Sequence, residues 1–121
     1  MTVKDYKKLT RKKSKYGNKK VEFEGMTFDS EGEFHRYLDL LMLQRAGIIT
    51  DLSRQVKFVL IPSQKDENGK TIERECSYMA DFTYREDGEF IVEDFKGHKT
   101  DVYKLKKKLM LEKYGYRIKE T

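Results

Sequence analysis

An Asp-Gly pair between two runs of aromatic and β-branched residues is the feature that most constrains how this chain can fold. The pair is Asp87-Gly88. Because Asp-Gly is a preferred two-residue loop between antiparallel strands, the pattern predicts a β-hairpin centred on it. Counting outward from the loop along both predicted strands places Asp81 directly opposite Asp94.

The opposed pair of aspartates points to chemistry rather than to stability. Like charges that face each other across a strand pair destabilise it, so an ordinary hairpin has little reason to carry them. Strand alternation also places Lys96 on the side of Asp94. Two carboxylates and a lysine on one face are an arrangement for metal-dependent phosphodiester cleavage, which needs charge neutralisation and an activated water.

Magnesium is the cation that this set of residues predicts. It takes oxygen ligands and keeps several waters, so one or two carboxylates are sufficient to hold it. We expect Mg²⁺ or Mn²⁺ on Asp81 and Asp94, with the carbonyl of Phe95 as a further ligand. Lys96 would orient the attacking water or stabilise the pentacovalent phosphate.

A simpler interpretation of Asp94 and Lys96 is a surface ion pair worth under about 1 kcal/mol. The neighbouring Ile91 and Val92 are apolar, which predicts a strand that is buried on at least one face. Burying Asp94 opposite Asp81 without a cation would be costly, and this favours the metal site.

Basic residues are concentrated at the start of the chain. Residues 1–20 contain nine Lys or Arg against Asp5 alone, so the remainder carries −3 of a total charge of +5. A basic arm on a mildly acidic body predicts a polyanionic partner, most simply nucleic acid, although a solubilising tail has the same composition. At 121 residues the chain predicts a flexible arm at 1–19 and a single domain at 20–121.

Two function classes are disfavoured by composition. Cys76 is the only cysteine, so no internal disulfide is expected. No apolar run approaches the roughly 20 residues that span a bilayer. We therefore expect a cytoplasmic protein without a membrane partner.

Apolar periodicity and turn residues predict the order helix, three antiparallel strands, helix, strand, preceded by a small hairpin. The predicted spans are a hairpin around 21–28, helices at 30–46 and 100–114, and strands at 56–61, 71–84, 90–96 and 116–119. The apolar face expected for the second helix consists of Val102, Leu105, Leu109 and Met110.

The first helix offers a third carboxylate. Ser30 followed by Glu33 has the form of a capping box, which explains Glu33 without any metal. Glu31 and Glu33 both lie in the first turn, and helical phase does not choose between them.

A run of lysines follows the predicted site and can contact a phosphate backbone, although a solvated helix face has the same pattern. Together with the arm, the residues expected to contact nucleic acid are Lys12, Lys13, Lys99, Tyr103, Lys104, Lys107 and Lys108.

Four blocks of the chain resemble a small family of phage and prophage proteins in the PD-(D/E)XK nuclease superfamily, often described as endonuclease-like or Holliday-junction-resolvase-like. The blocks are Phe28-Asp29-Ser30-Glu31-Gly32-Glu33, Ala80-Asp81-Phe82, Val92-Glu93-Asp94-Phe95-Lys96-Gly97 and the segment 100–108. The similarity covers about residues 16–120. Ala80 stands where the superfamily expects proline.

The resemblance implies an α/β fold with a restriction-endonuclease-like core of order α-β-β-β-α-β and a mixed central sheet flanked by helices. It implies Glu33 as the helix carboxylate, Asp81 and Asp94 as metal ligands and Lys96 as the catalytic lysine. The expected function is a metal-dependent DNA endonuclease acting on branched or recombination-intermediate DNA of a phage or prophage, which suits a homodimer that cuts two strands. The alternative is a non-catalytic nucleic-acid-binding module that uses the basic arm.

Overall fold

The computed structural model of the chain describes residues 20–95 and 99–121. It consists of two compact units, of which the first ends at Arg45 and the second comprises Ala46–Thr121. The predicted arm at 1–19, with Lys12 and Lys13, lies outside the described residues, and so does Lys96. The single domain expected for 20–121 stays a prediction.

The first unit is a short hairpin followed by a helix. Its elements are β1 (Val21–Phe23), β2 (Met26–Phe28) and α1 (Glu31–Arg45). The strands pair antiparallel with Val21 opposite Phe28, as the sequence predicts. Both residues are buried together with Phe34 of the helix, and the Phe28 and Phe34 rings meet edge to face with centroids 5.2 Å apart. Aromatic packing of this kind gives the small unit its core.

The second unit contains a mixed four-stranded sheet and a helix. Its elements are β3 (Ile49–Ile61), β4 (Gln64–Lys65), β5 (Thr71–Glu73), β6 (Cys76–Glu86), β7 (Glu89–Asp94), α2 (Asp101–Tyr114) and β8 (Lys119–Glu120). The sheet has the order β3-β6-β7-β8, in which β7 and β8 are parallel and the other neighbours antiparallel. Strands β4 and β5 form a separate hairpin. The predicted mixed α/β class is confirmed.

Element boundaries differ from the predictions in three places. Strand β3 begins at Ile49 because its polar first half pairs with the end of β6, with Ile49 opposite Glu86. The long strand predicted at 71–84 is divided into β5 and β6. The last strand is Lys119–Glu120. Pairing partners, rather than local propensity, set these boundaries: β5 pairs with the nearby β4, whereas β6 and the last strand pair with β3 and β7.

Helix α2 covers the core of the second unit. Thr100 caps its first turn, because the Thr100 hydroxyl accepts a hydrogen bond from the Tyr103 amide at 3.0 Å. The buried core residues are Leu60, Tyr78, Ala80, Val92, Tyr103, Met110 and Ile118. The apolar face predicted from the sequence is wrong for Val102 and Leu105, which are 62% and 58% exposed. The helix instead turns Tyr103 and Met110 inward, two turns apart on one face.

Across the described residues, no helix has both the length and the apolar content needed to cross a membrane.

Candidate functional site

The β6–β7 hairpin carries two carboxylates at the end away from its turn. Both central residues of the turn have positive φ, 51° and 79°, as a type I′ turn requires. The paired positions run outward from the turn to Phe82 opposite Glu93. The predicted hairpin is confirmed, and so is its register from Glu86 opposite Glu89 to Phe82 opposite Glu93. Asp81 and Asp94 are the next residues outward, and their direct opposition stays a prediction.

Asp94 is fully buried, with 0% of its surface exposed. The Tyr78 hydroxyl donates a hydrogen bond to Asp94 Oδ2 at 2.5 Å. Burial and this bond raise the pKa of the Tyr78 phenol, which therefore stays a proton donor. Short hydrogen bonds to an ionised acceptor are the strong class of hydrogen bond, so Tyr78 fixes the orientation of the Asp94 carboxylate.

Asp81 is held by the backbone where the strand pairing ends. Its Oδ2 accepts a hydrogen bond from the Phe95 amide at 2.9 Å, and its Oδ1 lies 3.5 Å from the side-chain nitrogen of Gln55. In a regular ladder the Phe95 amide would donate to a backbone carbonyl, whereas here it donates to the Asp81 carboxylate. Its position depends on β7 as well as on β6.

Strand β6 changes its inward-facing side at Asp81. Ala80 and Val92 belong to the same core, yet the residue directly opposite Val92 is Thr83. Opposed residues share a face, so the inward positions of β6 switch between Ala80 and Thr83. Gln55, which faces Asp81 on the other neighbouring strand, has a left-handed φ of 51°. The switch in β6 and the left-handed backbone of Gln55 thus occur at the same point of the sheet.

Strand β8 adds a third carboxylate that the sequence analysis missed. In the parallel register Glu120 lies beside Asp94. The Tyr103 hydroxyl donates to Glu120 Oε2 at 2.8 Å, while Lys107 and Lys99 approach Oε1 at 2.9 and 3.3 Å. Hydrogen bonds from Lys107 and Tyr103 lower the pKa of Glu120 to about 2, so it is ionised at neutral pH.

The three acids Asp81, Asp94 and Glu120 form one carboxylate cluster. The Tyr78 and Tyr103 rings have centroids 6.5 Å apart, so the two carboxylate–phenol pairs lie side by side. Burial is the largest cause of the raised pKa of both phenols, and the charges of Asp94 and Asp81 add to it in both. Both aspartates therefore lie within electrostatic reach of both tyrosines. No local sequence pattern identifies Glu120 as a site residue, because its two-residue strand is defined only by its pairing with the distant β7.

Glu93 forms a separate pair next to this cluster. Its Oε1 accepts a hydrogen bond from the Tyr84 hydroxyl at 2.6 Å, and its Oε2 one from the Thr121 hydroxyl at 3.3 Å. Strand alternation directs Glu93 to the face opposite that of Asp94. Glu93 is therefore a structural carboxylate.

Glu33 lies in the first unit, where it caps its own helix. Its backbone amide donates to Ser30 Oγ at 3.1 Å, and its carboxylate accepts from the Asp29 amide at 3.4 Å. The side chain thus reaches the residue before the cap rather than the cap itself, in a variant of the capping box. Glu33 is buried and Glu31 half-buried. A metal-binding role for Glu33 stays a prediction.

The described residues among those predicted to contact nucleic acid fall into three groups. Lys104 and Lys108 are exposed on α2. Tyr103 is buried with its hydroxyl on Glu120, so this side chain lies within the core rather than on the surface. Lys99 and Lys107 are partly exposed and bound to Glu120.

Oxygen donors of the kind that magnesium prefers occur near the end of β7. Asp81 and Asp94 supply carboxylates from adjacent strands, and Phe95 supplies a carbonyl directly after Asp94. Within 20–95 and 99–121 the structure contains no group of three His, Cys, Asp or Glu residues placed to hold a metal ion. One or two carboxylates with retained waters are an ordinary magnesium site, so the donor chemistry of this pair fits that ion.

The second unit therefore defines a mixed α/β protein with a carboxylate cluster, centred on the fully buried Asp94, at the end of its central sheet. The chain belongs to the family described as "Protein of unknown function (DUF1064)", whose model matches residues 13–120. No curated protein and no solved structure matches the chain.

Proposed function

We propose that this protein is a metal-dependent DNA endonuclease with a restriction-endonuclease-like core. The observation that carries the proposal is the position of Asp94, which is fully buried at the end of β7, next to the strand that carries a second aspartate, Asp81. A buried carboxylate beside a like charge lowers stability, and such a cost is typical of functional sites. Phosphodiester hydrolysis is a reaction that uses paired carboxylates of this kind.

In this proposal Asp81 and Asp94 hold Mg²⁺ or Mn²⁺, with the Phe95 carbonyl as a further ligand. When bound, the ion lowers the pKa of a water molecule and neutralises phosphate oxygens. The chain's own contribution is preorganisation. Tyr78 fixes the Asp94 carboxylate and the Phe95 amide fixes that of Asp81, so both acids are oriented before substrate arrives.

The remaining parts of the proposal concern the substrate. Lys96 assists the attack of water, and the arm at 1–19 holds the DNA backbone together with Lys104 and Lys108 of α2. The substrate class we propose is branched or recombination-intermediate DNA of a phage or prophage, cleaved by a homodimer. The basic arm and the exposed lysines support a polyanionic partner through their charge.

Cleavage of matched four-way, flap, duplex and single-stranded DNAs in Mg²⁺ tests the proposal. We expect the parent to cut at least one substrate and Asp94→Asn and Lys96→Ala to lose cleavage by a factor of about 100 or more. Asp51→Asn is the matched control, because Asp51 is an exposed aspartate of the same sheet. It should cleave like the parent.

A parent that binds DNA but cleaves none of the four in Mg²⁺ or Mn²⁺ would refute the nuclease and favour the non-catalytic binding module. A parent that shows no salt-dependent DNA binding would refute both functions.

A further inference from the structure

Two lysines from different parts of the fold meet at one oxygen atom beside the proposed active site. Lys107, in the second turn of α2, and Lys99, which precedes the helix, approach Glu120 Oε1 at 2.9 and 3.3 Å. The other oxygen of Glu120 accepts the Tyr103 hydroxyl. One carboxylate thus faces two ammonium groups, and the three groups together carry a net positive charge.

The two lysines remain open to solvent although their partner is less so. The exposed fractions of the side chains are 50% for Lys99 and 39% for Lys107, against 22% for Glu120. Ammonium groups at this exposure keep donors open to solvent, so an incoming anion can share the two lysines with the Glu120 carboxylate. The pair is therefore both ordered and accessible.

The location of the pair connects it with the carboxylate cluster. Glu120 lies beside Asp94 in the parallel register of β7 and β8. A polyanion bound across this end of the sheet would place one phosphate near Asp94 and bring a neighbouring phosphate within reach of the lysines. Compact ammonium groups on flexible stems are suited to binding phosphate as point charges.

We propose that Glu120 is a positioning residue that holds Lys99 and Lys107 as a subsite for a phosphate group of a nucleic acid. The inference rests on the proposed function for the identity of the substrate. Glu120 itself does not touch the phosphate. It orders two long side chains in advance, so that less freedom is lost when the phosphate binds.

The test measures DNA binding by the full chain without divalent metal, over a series of salt concentrations. Lys99→Ala and Lys107→Ala should each weaken binding several-fold and lower the slope of log K against log[salt] by about 1. Lys57→Ala is the matched control. Lys57 lies on β3 and also forms an ion pair with an acid, Glu75, but it is not part of the Lys99 and Lys107 pair. It should leave the slope unchanged.

Glu120→Gln separates positioning from simple charge. Gln can still accept the Tyr103 hydroxyl but no longer attracts the two lysines. The lost ordering of the lysines and the lost negative charge act in opposite directions on affinity, so we expect DNA binding close to that of the parent, together with a kcat lowered at least several-fold. A merely structural Glu120 would instead weaken binding and cleavage together.

Two results would overturn the subsite. One is an unchanged salt slope in both lysine variants, and the other is a Glu120→Gln variant with the parent's kcat. Thermal melting of each variant identifies any that fail to fold, and the partly exposed Lys99 then still provides the slope measurement. If the two lysine variants lower the salt slope but the parent never cleaves DNA, the subsite is supported and the nuclease is refuted. The two failures are therefore distinguishable.

Discussion

Replacing Tyr78 by Phe removes one hydroxyl and leaves the ring in the core. The lost bond is the 2.5 Å contact to Asp94 Oδ2, and the acceptor is fully buried. Hydrogen bonds to charged groups contribute about 1.5–3 kcal/mol, so we expect the free energy of unfolding to fall by about 2 kcal/mol. For a chain of this size that corresponds to a decrease in Tm of roughly 8 °C.

Urea unfolding of the parent, Tyr78→Phe, Asp94→Asn and the double variant measures this contribution as a coupling free energy. Tyr114→Phe is the matched control, because its hydroxyl donates to the neutral Val59 carbonyl from an exposed ring and should cost under about 1 kcal/mol. The reasoning would be refuted by a Tyr78→Phe loss no larger than that of the control, or by a coupling free energy near zero.

Three further substitutions test the capping, turn and electrostatic interpretations. The folded-state pKa of Glu120 is about 2 against an ordinary 4.5, so its ionised form stabilises the fold above pH 4.5 and this contribution is lost as the pH falls towards 2. Glu120→Gln should therefore be less stable than the parent at neutral pH in urea unfolding, with a difference that disappears near pH 2; a difference independent of pH would contradict this. Gly88→Ala should lower the free energy of unfolding by about 1 kcal/mol. The reason is backbone strain, because φ at this position is +79° and an added Cβ would meet no atom within 4 Å. An unchanged Tm would contradict this strain. Thr100→Ala should cost about 1 kcal/mol by loss of the helix cap, whereas Thr100→Ser should melt like the parent; equal losses in both would exclude capping.

The ends of helix α2 follow from its sequence, whereas its buried face does not. Its predicted span of 100–114 is confirmed to within one residue, with Thr100 and Gly115 as its capping residues. The buried face predicted from periodicity is not confirmed, because Val102 and Leu105 are exposed although they are as apolar as the residues that the fold buries. Apolar residues occur around much of the helix, so periodicity alone allows more than one buried face. The contacts made by Tyr103 and Met110 decide which face is buried.

The hairpin and its register were predictable because a hairpin is local. An Asp-Gly turn with two positive φ values sets the register within a few residues, and alternation then carries that register out to Phe82 and Glu93, next to the two aspartates. Only the tertiary structure brought Glu120 beside Asp94 and joined Tyr78 and Tyr103 to the carboxylates. Parallel pairing of β7 and β8 depends on the intervening helix and on the packing of the core, and the free energy of such long-range contacts has no signature in a local stretch of sequence.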